Sequence, residues 1–377
     1  MKRHIRIGLC GFGFMGKTHL YAVRNLPFFY GDNLPFTAEV VAVATSRPET
    51  AAAACTEFGI PRACTESELL ADPTIDVVDV CSPNPYHYDT ICKALAAGKH
   101  VLCEKPLTVT ADEADRVTAL AAESGLVCGM VFNNRFLSPV IRAKQLMDEG
   151  RLGRILSFEF SYLHNSCIDP ERRVGWKQTA ASGGGTLADL GPHVIDLCHH
   201  LCGKLDWVSG QSQIAFPTHL QKDGTQWKTD ADEAFYMLCG TDDGACGRIT
   251  VSKLTQGAND ELSFTINGTD GSLRFDLMDP NWLYFYDTKV AGSPVGGDRG
   301  WTRIECVGRY SSPASGFPSP KAPIGWLRGH VGNMENYLSA VATGTAVSPS
   351  FGDGAYVEHV MEAARLSDAN EGKRIKL

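Results

Sequence analysis

The chain has 377 residues, of which 44% are hydrophobic and 21% charged, enough for two domains with ordinary cores. Its formal charge of -8, without a basic run of five or more residues, excludes a general nucleic-acid binder, because phosphate contacts need clustered Lys and Arg. Thirteen scattered cysteines, several inside apolar runs (Cys10, Cys81, Cys103, Cys128), suit a reducing cytoplasm, and no apolar stretch approaches the ~20 residues that span a bilayer.

Read in chain order, residues 1–132 alternate strand and helix. Apolar runs predict strands at 5–9, 40–44, 77–81, 101–103 and 127–131. Helices are expected at 14–25, 48–58, 86–97 and 110–124, the last opened by a capping box of Thr110 and Glu113. The start, Met1-Lys2-Arg3-His4 before Ile5, is not expected to act as a signal peptide, since Arg6 and the glycines from Gly8 onward interrupt any apolar core. The segment 28–37, flanked or broken by Pro27, Gly31 and Pro35, is expected to be a surface excursion. Apolar strands separated by helices predict a doubly wound parallel sheet covered on both faces.

After residue 133 the rhythm changes. A helix is expected at 139–149, a strand at 155–162, and an irregular stretch at 165–185. Pro192 favours a helix's first turn, which predicts a helix over 192–201 with Asp189 in the preceding turn and His193 in the first turn. Six strand-like runs follow between 208 and 286, joined by turns such as Asn267-Gly268, and predict an antiparallel or mixed sheet. Residues 290–325 read as Gly- and Pro-rich loop. Helices near 328–342 and 353–370 close a second α/β domain over 133–377, the last helix expected to pack back on the first domain.

Gly11-Phe12-Gly13-Phe14-Met15-Gly16 follows the first strand and opens the first helix. In that context the pattern is a dinucleotide turn: Gly11 permits the tight bend, Gly13 admits a pyrophosphate to the backbone, and Gly16 lets helix and strand pack. The helix N-terminus supplies free N–H groups and partial positive charge. NAD-binding chains usually place an acid at the end of the second strand for the ribose 2′-OH. Here the strand ends Thr45-Ser46-Arg47, and a hydroxyl beside a forked cation leans toward the 2′-phosphate of NADP. The alternative for Arg47 is a solvated helix-start residue.

Three more motifs occur in order: Cys81-Ser82-Pro83-Asn84-Pro85-Tyr86-His87, Glu104-Lys105-Pro106, and the run from Gly183-Gly184-Gly185 to Asp189-Leu190-Gly191-Pro192-His193. Together with the glycine turn, and with Pro349-Ser350-Phe351-Gly352-Asp353-Gly354 near the end, the chain resembles the Gfo/Idh/MocA family over almost its whole length. The resemblance implies a Rossmann domain and a C-terminal domain with an open sheet that often forms a homodimer or homotetramer interface. It implies NAD(P)-dependent oxidation or reduction of a sugar, polyol (inositol-like) or glycoside. Lys105, Asp189 and His193 match the family's catalytic set, and Ser82, Pro83, Asn84 and His87 match positions lining the nicotinamide side. Glu104 and Asn133 are read with them as cofactor contacts, Arg135 and Trp176 as substrate contacts, and Lys105-Pro106 as a cis bond.

These residue types suit the reaction. A histidine titrates near the working pH, and a lysine at a strand's carboxyl end sits where doubly wound sheets bind ligands and can stabilise an alkoxide. Asp189 can orient His193 or accept a substrate hydroxyl, or, with a histidine satisfied in the interior, it is an ordinary helix-start charge. An aromatic face at Trp176 can stack on a sugar or serve packing. Cys198-His199-His200-Leu201-Cys202 has zinc-ligand chemistry, but adjacent helical side chains diverge and no Cys-x-x-Cys supports it, so no metal is expected. Two further readings stay open: a redox glycosidase using transient sugar oxidation, and a non-catalytic NAD(P)-sensing protein.

Overall fold

The computed structural model describes residues 2–169, 173–221, 223–295, 297–307 and 325–377. These form two compact units, one from residues 2–136 with Leu327–Glu358, the other from residues 137–307 with His359–Leu377.

The first unit runs β1 (Arg3–Cys10), α1 (Phe14–Tyr30), β2 (Phe36–Ala44), α2 (Pro48–Phe58), β3 (Arg62–Cys64), α3 (Glu66–Ala71), β4 (Val77–Val80), α4 (His87–Ala96), β5 (His100–Cys103), α5 (Ala111–Ser124) and β6 (Cys128–Met130). The six strands pair in parallel in the order β3-β2-β1-β4-β5-β6. The order reverses between β1 and β4, and doubly wound sheets bind ligands at the strands' carboxyl ends beside such a reversal. Ile5, Ile7, Leu9, Val43, Val77 and Leu102 bury in one core, which is why these strands read as continuous apolar runs. The expected 28–37 excursion is mostly regular structure. Helix α1 continues through Pro27 to Tyr30, and β2 begins at Phe36, because Leu26, Tyr30, Leu34 and Phe36 all reach the core. Burial there outweighs the helix-breaking tendency of one proline.

The second unit contains α6 (Ser138–Asp148), β7 (Ile155–Leu163), α7 (Thr186–Cys202), β8 (Leu205–Gln213), β9 (Thr218–Leu220), β10 (Gln226–Lys228), β11 (Ala234–Thr241), β12 (Cys246–Ser252), β13 (Glu261–Gly268), β14 (Gly271–Asp276), β15 (Trp282–Asp287) and β16 (Trp301–Glu305). Helix α8 (Trp326–Thr343) lies almost wholly in the first unit, where Val331, Met334, Tyr337, Leu338 and Val341 join the core; α9 (Phe351–Ala369) begins in the first unit and ends in the second. Strand β17 (Ile375–Lys376) completes a nine-stranded sheet, β16-β15-β14-β13-β7-β12-β11-β8-β17. Only its β12–β7 pair is parallel, so the sheet is mixed and open. One face packs under α7 through Phe158, Phe160, Val251 and Ile249, all buried. The region 290–325 is not wholly loop, since β16 lies inside it; residues 308–324 fall outside the described residues.

The largest departure is α7. It starts at Thr186, two turns before the expected 192–201 helix, and carries Pro192 inside it. Both Asp189 and His193 are therefore helical, four residues apart, and share one face. The N-terminal cap comes from far along the chain. The Asp232 carbonyl accepts the Thr186 N–H at 2.9 Å, and Asp232 Oδ2 accepts the Leu187 N–H at 2.7 Å.

Candidate active site

In the first unit, Gly11 adopts φ +98°, and a Cβ there would lie 2.6 Å from the Cys81 carbonyl. A Cβ on Gly16 would lie 2.5 Å from the Gly11 carbonyl oxygen, so both positions need glycine for packing. Gly13, which precedes α1, is different: a Cβ there meets nothing within 4 Å. The space over Gly13 thus serves no internal packing. Helix α1 has no acidic residue in its first turn, leaving its N-terminal N–H groups to an anion. Phe12 packs edge-on against Phe58, while Phe14 is largely exposed and Met15 lies beside it at the helix start.

Among the other cofactor candidates, Ser82 Oγ and Asn133 Oδ1 are buried polar atoms without a hydrogen-bond partner among the described residues. Such orphans are uncommon in native interiors, and a water or ligand that supplies a partner accounts for them. The turn after β4 and the residues after β6 therefore fit a dinucleotide that adds partners. Pro83 and Asn84 shape that turn, with Pro83 accepting from the Tyr86 N–H. Thr45 Oγ1 donates to the Arg47 carbonyl at 2.7 Å, which closes the entry to α2; Ser46 and Arg47 are exposed. His87 is wholly buried, its Nδ1 2.8 Å from the Pro106 carbonyl and its Nε2 2.8 Å from the Ser82 carbonyl. Burial pushes its pKa down. The ring ties the Ser82 turn to the Lys105 segment, whose Lys105-Pro106 bond is cis. Arg135 is also buried and is held inside this unit, 2.9 Å from Asp353 Oδ1 and 3.1 Å from Ser348 Oγ.

One cluster carries no signal in the motifs as read. His19, three residues after Gly16, lies between Asp79 (Nδ1 to both oxygens, 2.9 Å) and Glu104 (Nε2 to Oε1, 3.1 Å). Burial alone would lower the His19 pKa, but Asp79 and its neighbours raise it well above the usual value. Burial alone would raise Glu104, yet the His19 hydrogen bond and charge bring it down to about 2. Glu104 Oε2 also accepts the backbone N–H of Lys105 at 3.1 Å. These groups, with Cys81 and His330, have metal-ligand chemistry, but their mutual hydrogen bonds already account for the His19 ring and both carboxylates. The periodicity of α1 puts His19 on its buried face, and that is the signal that would have found it.

In the second unit, Asp189 and His193 stand on α7. Asp189 Oδ1 pairs with Lys177 Nζ at 2.8 Å and Oδ2 with Lys253 Nζ at 2.9 Å. Lys177 also lies 5.7 Å from the ring of Trp176, which is 39% exposed. His193 packs edge-on against Tyr162, ring centroids 5.7 Å apart. Tyr162 donates to Asp260, which also lies 3.1 Å from His164 Nε2. Burial would raise Asp260, but His164 and Tyr162 hold it below the usual value, and burial pushes the Tyr162 phenol well up. On α7, Cys198 is buried and shares a face with Cys202, four residues on, while His199 and His200 between them point elsewhere.

Residues 5–132 match the model of an oxidoreductase family with an NAD-binding Rossmann fold (GFO_IDH_MocA), and residues 140–274 match the GFO/IDH/MocA C-terminal domain. The levoglucosan dehydrogenase of Pseudarthrobacter phenanthrenivorans is 31% identical over 98% of this chain and 97% of its own. The chain belongs to the Gfo/Idh/MocA family. The scyllo-inositol 2-dehydrogenase (NADP(+)) of Bacillus subtilis is 31% identical over 53% of this chain and 52% of its own. A solved levoglucosan dehydrogenase in complex with NADH and levoglucosan superimposes with a TM-score of 0.94 at 30% identity, covering 99% of each chain. As a family member with this glycine turn, the chain is an NAD(P)-dependent oxidoreductase whose relatives include sugar and polyol dehydrogenases. Among the described residues, no helix is long and apolar enough to cross a membrane.

Proposed function

We propose that this enzyme interconverts a CH–OH group and a carbonyl on a sugar, anhydrosugar or polyol, with Lys105, Asp189 and His193 as its catalytic residues. The observation that carries the reading is the Asp189–His193 pair on one face of α7, in a chain matched nearly end to end by a levoglucosan dehydrogenase. The dinucleotide, when bound, supplies hydride acceptance and donation. The chain's own task is the proton. His193 takes it from the reacting hydroxyl, and the Lys105 ammonium hydrogen-bonds the oxygen as negative charge develops. Asp189, fixed by two ammonium groups, accepts from a neighbouring substrate hydroxyl. Trp176 offers a half-exposed ring to the substrate's C–H face. Arg135 enters this reading as an anchor of the segment before α9 rather than as a sugar contact, because its guanidinium is committed to Asp353 and Ser348.

The preference for NADP rests on Arg47, since the Thr45 hydroxyl is taken up by the start of α2. A homodimer or homotetramer through the outer face of the nine-stranded sheet is part of the same reading, supported by Leu238 (60% exposed) and Tyr236 (44%) side by side there on β11. The decisive experiment is a cofactor-reduction screen with NAD and NADP over levoglucosan, pyranoses, inositols and glycosides. Reduction on a sugar or polyol is expected. Glycoside cleavage without net NAD(P)H would favour the redox glycosidase, and inactivity across the panel would favour a sensor.

A further inference from the structure

We infer that Lys253 is a positioning residue of the reaction, acting through Asp189; the inference rests on the site reading above. Lys253 follows β12, and its side chain is only 5% exposed. Its backbone is locked on both sides: its N–H donates to the Glu233 carbonyl at 2.8 Å, and its carbonyl accepts the Cys167 N–H at 2.9 Å. Burying an ammonium is costly unless a fixed anion faces it. The anion is Asp189 Oδ2, 2.9 Å from Nζ. Lys177 meets the other oxygen but is 46% exposed, so water can replace it at little cost. The two lysines therefore differ in kind. Lys177 is a solvated clamp, whereas Lys253, buried and held by its backbone, sets where the carboxylate points.

This arrangement makes Lys253 a determinant of the charge carried beside His193. The groups around Asp189 are Lys177 from the preceding loop, Lys253 after β12, His193 one turn along α7, Asp232 at the N-terminus of α7, and Tyr162 of β7, which carries Asp260 and His164 with it. Removing the buried cation takes a positive charge from both Asp189 and Asp232, which Arg365 also faces, and leaves the exposed Lys177 ammonium on Asp189.

The test is the pH profile of kcat/KM for wild type, Lys253→Met, Lys253→Arg and Lys177→Met, on the fastest substrate of the panel. NADH binding by nicotinamide fluorescence and a melting curve accompany each variant. A cation buried beside a histidine disfavours the protonated ring, and removing it favours that form. His193, the proton acceptor, sets the acid limb, so Lys253→Met is expected to move that limb up and to lower kcat by about tenfold or more with NADH affinity unchanged. Lys253→Arg is expected to recover much of both, and Lys177→Met to shift the limb less. If Lys253→Met folds, binds NADH and keeps the wild-type limb and kcat, the inference is overturned. If it does not fold, Lys253→Gln decides the matter, a wild-type limb and kcat in that variant being fatal. Asp189→Asn separates the two levels: full turnover there defeats the site reading, whereas loss there with a normal Lys253→Met defeats only the role of Lys253.

Discussion

The Asp232 carboxylate caps a helix that begins forty-six residues before it in the chain, accepting the Leu187 N–H at 2.7 Å. The fit is close enough that a Cβ on Gly185, at φ +109°, would lie 2.2 Å from Asp232 Oδ1. Without that cap the first turn of α7, which holds Asp189, has no side-chain partner of its own for its N–H groups. Asp232→Ala is expected to cost about 1–2 kcal/mol in urea denaturation. It should also lower kcat more than Lys228→Ala, a substitution on exposed β10.

The two kinds of glycine in the turn should separate cleanly. Gly13→Ala adds a methyl to open space, so the melting temperature should stay within about 2 °C while NAD(P)H affinity falls tenfold or more. Gly11→Ala forces an L side chain to φ +98° against the Cys81 carbonyl, and should destabilise the fold by more than about 1 kcal/mol. Calorimetry for stability and fluorescence titration for binding distinguish them.

His193→Ala and Lys105→Ala are expected to lower kcat by about 10²- to 10⁴-fold with cofactor affinity retained. Near wild-type turnover in both variants would refute the assignment of these residues.

The buried Asp79–His19–Glu104 group predicts opposite pH trends. Glu104, lowered to about 2, contributes stability that is full above its unfolded pKa near ~4.3 and is lost as pH falls toward 2. His19, raised well above its usual ~6.5, contributes stability that is full below ~6.5 and is lost as pH rises through its folded value. The plateau lies between about pH 4.5 and 6.5. His19→Gln leaves two buried carboxylates facing each other and should cost about 3–5 kcal/mol. Its melting temperature should lack the alkaline decline expected of wild type; parallel profiles would contradict this account.

Arg47→Glu should shift the ratio of kcat/KM values from NADP toward NAD, read from initial rates with both cofactors. An unchanged ratio would leave Arg47 as a solvated helix-start residue.

The sequence alone determined the doubly wound sheet and its glycine turn. Both are local: strands buried on both faces read as apolar runs, and the turn is written in six consecutive residues. The same local reading recovered α2 over Pro48–Phe58 and the strands β13 to β15 of the open sheet. What only tertiary structure decided depends on partners far apart in sequence. Helix α7 begins at Thr186 because Asp232 supplies its cap, α1 passes Pro27 because Tyr30 and Phe36 find a core, and His19 is charged because two strands bring it Asp79 and Glu104. Lys253 stands outside every motif, and nothing near it in the chain marks it. It matters because the fold buries its ammonium 2.9 Å from Asp189, and burial is a property no single segment carries.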